Sequence, residues 1–255
     1  MDVQCAPMLW PMPLSYPGII MKLCVGIVLA SLVLPVSALP RNFTDGEASF
    51  LPPYCIDTEY FKGGSRHSNH MSPRAPYWES LMGDGFWWMH HYCSGMVFAR
   101  RAEAYSKSSP DRGYNYLEAV QEFRYTINQL AKDFVLLPEI YTRLGEVEAK
   151  LRDFGAAYGS YLRAREIKPD YWPAYAQWAQ VLIDSGQKAE AKKLVQAGLE
   201  YSPDAAKLIE QFKLLGGDPT KIVPVVQTTT AADKLQKTEV EKDAAATPPA
   251  PKEPK

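Results

Sequence analysis

Between residues 138 and 205 the apolar and small positions of the chain come round twice with one spacing. The stretches PEIYTRLGEVEAKLRDFGAAYGSYLRAREIKPDY, from Pro138, and WPAYAQWAQVLIDSGQKAEAKKLVQAGLEYSPDA, from Trp172, align without a gap at an offset of 34 residues. Tyr141 falls on Tyr175, Leu144 on Trp178, Gly145 on Ala179, Ala157 on Ala191, Tyr161 on Val195, Ala164 on Gly198 and Pro169 on Pro203. Each copy predicts a pair of helices, A and B. A small residue in each lets the two approach, and the proline stops helix B, where it would lose a hydrogen bond and clash. Gly198 inside a helix costs about 1 kcal/mol against alanine.

Two such units cannot cover their own apolar faces, so neighbours are expected on both sides. Downstream, AAKLIEQFKLL (205–215) predicts a capping helix that ends at Gly216-Gly217. Upstream, FWWMHHYCSGMVFARRAEAYSKS (86–108) predicts a divergent helix A, with Gly95 or Ala99 as the small residue. A turn is expected over Ser109-Pro110-Asp111-Arg112-Gly113. Helix B would follow as YLEAVQEFRYTINQLAKD (116–133), with Ala119 and Phe123 at the packing positions.

This 34-residue pattern resembles the tetratricopeptide repeat (TPR) family. The resemblance implies an all-α fold, a short solenoid of helical hairpins over 81–216 whose inner helix-A face holds a peptide or a partner helix. Glu148 departs from the family pattern, which prefers an aromatic there. The helix-A residues expected at the surface are Glu139, Thr142, Arg143 and Glu146 in one repeat, and Ala176, Gln177 and Gln180 in the next. One arginine between two glutamates does not match the carboxylate clamp of some TPR proteins, so a basic or neutral helical partner is expected. The combination LPPYC, HHYCSG and IKPDYWPAY resembles exported bacterial TPR proteins, which implies a place in an envelope assembly or a polysaccharide export system.

The ends of the chain lack the repeat. MKLCVGIVLASLVLPVSA (21–38) has a lysine, an apolar stretch and a small-x-small ending, the layout of a secretory signal peptide with cleavage after Ala38. The apolar part is shorter than the roughly 20 residues of a spanning helix. Residues 1–20 carry only a negative charge, Asp2, where a leader should be positive, and read as an upstream extension with Met21 as the start. The expected location is periplasmic or secreted, with membrane contact only through a partner or an uncleaved signal segment. At the other end, 217–255 has no aromatic residue and is rich in Pro, Ala, Thr, Lys and Glu, the composition of a disordered tail. A net charge of −1 gives no electrostatic footprint for nucleic acid.

Segment 39–80 mixes Pro52-Pro53, Gly63-Gly64, Pro73 and Pro76 with Phe50, Tyr54, Tyr60, Phe61, Tyr77 and Trp78. Breakers argue for loops and short helices, and aromatics argue that these pack on something. A strap covering the exposed end of the stack meets both demands; a binding surface is the alternative. The mature chain keeps Cys55 and Cys93, which read most simply as one disulfide, worth on the order of 3–4 kcal/mol by loop entropy. All four histidines, His67, His70, His90 and His91, lie between them. His67-x-x-His70 and His90-x-x-Cys93 have spacing one metal ion could use. A metal- or redox-binding envelope protein is therefore the alternative reading, and two free thiols a third. No G-x-S-x-G, phosphate-cradling glycine loop or H-E-x-x-H occurs, so neither enzyme nor cofactor is expected.

Overall fold

The computed structural model describes residues 43–58 and 72–225. The expected extension and signal peptide (1–38), His67, His70 and the chain beyond 225 lie outside the described residues. From Met89 the chain runs as paired helices: α3 (Met89–Ala104) with α4 (Pro110–Gln129), α5 (Leu137–Lys150) with α6 (Phe154–Ile167), α7 (Trp172–Asp184) with α8 (Lys188–Tyr201), then α9 (Ala206–Leu214). Before them come α1 (Asp45–Ala48), a 3₁₀ turn Pro53–Asp57, α2 (Ala75–Met82) and a 3₁₀ turn Gly83–Trp88. No strand occurs among the described residues. The fold is an all-α helical-repeat solenoid.

The repeat pattern sets the helix ends. Pro138 and Pro173 sit in the first turns of α5 and α7, where a missing N–H costs nothing. The α5–α6 and α7–α8 turns each need a left-handed residue at the same place in the period: Gly186 at φ 78° in one, Arg152 at φ 64° in the other. The turn expected over 109–113 is instead the start of α4. The Ser109 hydroxyl accepts from the Asp111 amide, and Pro110 opens the helix.

The small residues lie where helices meet. A Cβ on Gly95 would stand 2.4 Å from Phe123 Cε1, which makes Gly95, not Ala99, the close-approach position of α3 and α4. Gly198 belongs where it is: a Cβ would meet Leu208 Cδ1 at 2.8 Å and Tyr175 Cγ at 2.9 Å. Glu148 is buried, and its carboxylate accepts from Ser160 Oγ at 2.6 Å and Arg124 Nη2 at 2.7 Å. The carboxylate thereby ties α4, α5 and α6 together in place of the expected aromatic.

The fold continues past the expected tail boundary at 217. The Val225 amide donates to Glu200 O at 2.7 Å, and Ile222 packs on the cluster of Tyr175, Leu199, Leu208 and Phe212. An apolar seam between α8 and α9 needs this cover. First helices of successive pairs touch, α3 with α5, α5 with α7 and α7 with α9. They line the inner side of the stack, the helix-A face.

Candidate functional site: the helix-A face and its strap

The strap is fixed at one point. Cys55 and Cys93 are joined as a disulfide with Cα atoms 5.8 Å apart, and both are fully buried. Around it, Asp57 accepts from Ser72 Oγ at 2.6 Å and Trp78 Nε1 at 2.7 Å and pairs with Arg74 at 2.9 Å. One buried carboxylate thus gathers both described pieces of the strap. Tyr54 packs edge-on to Trp78, and its buried hydroxyl has no hydrogen-bond partner among the described residues. Burial, then Glu139, pushes this phenol far above its ordinary pKa.

Ahead of this anchor, α1 lies against the helix-A face of α3. Thr44 and Glu47 form a capping box, and both Glu47 oxygens bind Arg101, at 2.5 Å from Nε and 3.0 Å from Nη2. The hydrogen bond from Arg101 holds the Glu47 carboxyl down at about 2. Phe50, 62 % exposed, sits under the Arg100 guanidinium at 3.6 Å. Behind α1 a cavity of about 550 Å³ runs between α3 and α5, walled by Met96, Val97 and Val147 and rimmed by Arg143, Glu146 and Lys150. The strap was expected over the end of the stack; its first part lies along the helix-A face instead. Pairing with α3's C-terminal arginines and the register of Cys93 put it there.

The residues predicted for partner binding separate into four groups. Arg143 and Glu146 rim the cavity, 3.4 Å apart, and burial raises the Glu146 carboxyl despite the adjacent guanidinium. Glu139 accepts from the Tyr92 hydroxyl at 2.7 Å, a bridge from α5 to α3. Gln177 and Gln180 are exposed on α7, where Gln180 donates to Asp184 Oδ1 at 2.8 Å. Thr142 and Ala176 are corrections. Both are buried: the Thr142 hydroxyl donates to Pro138 O, and Ala176 O accepts from Gln211 Nε2. Thr142 is turned back onto its own helix and Ala176 faces α9, so neither is open to a partner.

His90 is buried with Nδ1 2.8 Å from Trp87 O, while His91 pairs with Glu122 and stacks near Tyr125. Cys93, spent in the disulfide, has no thiolate to give a metal. No group of three potential ligands comes together among the described residues.

Sequence reasoning missed Arg100, Arg101 and Lys150. Superposing α3 on α5 through Gly95 and Gly145 puts Arg100 level with Lys150, a signal that was legible in the sequence.

No family model matches the chain. Ninety residues, 35 % of the chain, are 28 % identical to part of the human protein O-mannosyl-transferase TMTC2, a TPR-containing protein. They span about 10 % of that protein's length.

Proposed function

We propose that this chain is a non-enzymatic TPR scaffold, exported to the periplasm or beyond, that holds a protein or peptide partner on its helix-A face. The observation that carries the reading is the continuous inner face of α3, α5, α7 and α9, with a cavity at one end and exposed Gln177 and Gln180 further along. The local likeness to a TPR-containing protein supports the same general role. A buried disulfide suits an oxidising compartment, and an envelope assembly or a polysaccharide export system is the proposed setting.

The test is co-purification after cross-linking, with the wild-type chain and an Arg143→Ala/Gln177→Ala/Gln180→Ala variant as baits. Partner yield should fall at least tenfold while Tm shifts by only a degree or two. Undiminished capture overturns the site. Intact mass from fractionated cells tests the export: a chain beginning at Leu39 and two hydrogens light supports it, whereas a longer, fully reduced chain in the cytosol overturns it.

A further inference from the structure

α1 is a poor structural element and a good ligand. None of its residues is buried, and four residues make a single turn. With the turn that follows it, it touches the solenoid through side chains: Glu47 on Arg101 and Phe50 on Arg100. The ion pair is part-buried and doubly hydrogen-bonded, whereas the Phe50 ring is mostly exposed, so one charged contact carries most of the docking. Nine residues on, Tyr54, Cys55 and Asp57 are buried and the disulfide is closed, so the strap is anchored beside α1, not by it.

The groove behind α1 has its own charge. Apart from the strap, Arg100, Arg101, Arg143 and Lys150 stand against Glu103 and Glu146. Lys150 pairs with Glu103 at 3.0 Å and Arg143 with Glu146 at 3.4 Å. Glu47 brings a carboxylate to Arg101 and Phe50 a ring to Arg100. An acidic and aromatic pair three residues apart lies on one side of a helical turn, so both can reach neighbouring arginines. Apolar Met96, Val97 and Val147 wait in the cavity beyond.

From this seating, and resting on the scaffold reading above, we propose that α1 is an internal stand-in for the partner. Arg100 and Arg101 recognise a carboxylate followed three residues later by an aromatic ring, present in the chain as Glu47-Ala-Ser-Phe50. A partner segment bearing that acidic-x-x-aromatic pair displaces α1, which swings on the Cys55 anchor, and its apolar residues enter the cavity. Tethered so close, α1 competes at an effective concentration in the millimolar range. A flap docked nine-tenths of the time weakens a competitor about tenfold. This occupant is acidic, where sequence alone suggested a basic or neutral one, because the arginines of α3 count and Glu139 is engaged by Tyr92.

The test uses the full oxidised chain and a fluorescent capped peptide, TDGEASFL (residues 44–51), read by anisotropy. A control peptide has alanine for its glutamate and phenylalanine. The E47A/F50A chain should bind the peptide at least tenfold more tightly than wild type and ignore the control. Adding R100A and R101A to that chain should remove binding, with circular dichroism and Tm checking the fold. Equal affinity of wild type and E47A/F50A, binding that survives loss of both arginines, or no binding to any chain overturns the inference. The cross-linked partner is then offered to the same set. Capture indifferent to R100A/R101A but lost in the α5–α7 variant sinks the stand-in and keeps the scaffold. Capture indifferent to both sinks both.

Discussion

Gly95 and Gly113 lie in paired helices with opposite surroundings. A methyl group on Gly95 runs into the Phe123 ring, itself buried, whereas one on Gly113 meets nothing within 4 Å. Gly95→Ala should therefore lose about 1–3 kcal/mol through overpacking, and Gly113→Ala should gain about 0.5–1 kcal/mol from helix propensity alone. Urea denaturation of the two variants checks the sign of each. A shared sign would mean that α3 and α4 do not meet where the glycine places them. Glu148 teaches the same lesson with a charge: a carboxylate can replace a packing ring only because Arg124 and Ser160 arrive from two other helices.

At the scale of an element, α1 depends on one ionised carboxylate. Arg101 holds Glu47 at about 2, against 4.5 for the ordinary group. The folded value lies below the unfolded one, so the contact stabilises docked α1 above pH about 4.5. Its contribution is lost as pH falls from there toward 2. Hydrogen-exchange protection of the Ser49–Leu51 amides, corrected for intrinsic rates, should drop between pH 5 and pH 2.5. Amides in the middle of α6 should keep theirs. Equal behaviour of the two segments would mean that Glu47 does not hold α1 down. The helices themselves are robust because their apolar faces are buried by neighbours, which α1 lacks.

For the whole molecule, both ends of the solenoid need cover. At the C-terminal end, residues 216–225 return along α8: Lys192 Nζ donates to Gly216 O at 2.7 Å, and Ile222 lies on the apolar seam. Ending the chain after Leu215 should cost about 1–2 kcal/mol, the partial burial of one isoleucine and its neighbours. At this size that is a fall of roughly 2–8 °C in Tm. An unchanged Tm would show that α9 alone closes the stack.

The sequence by itself determined the solenoid. A 34-residue period records short-range packing, and its small residues answer to neighbours within the same hairpin or the next helix, so the helices of 138–215 were legible without coordinates. Two of the four cysteines, Cys55 and Cys93, lie downstream of residue 38, and the structure joins that pair. Tertiary structure alone decided which helix-A positions face outward, and it buries Thr142 and Ala176. It alone carried the fold beyond Gly217, and it alone laid α1 on the groove. The last of these depends on contacts between residues about fifty positions apart, Glu47 with Arg101 and Phe50 with Arg100. No local pattern encodes such pairs, because an exposed glutamate and an exposed arginine look alike in sequence whether or not the fold brings them together.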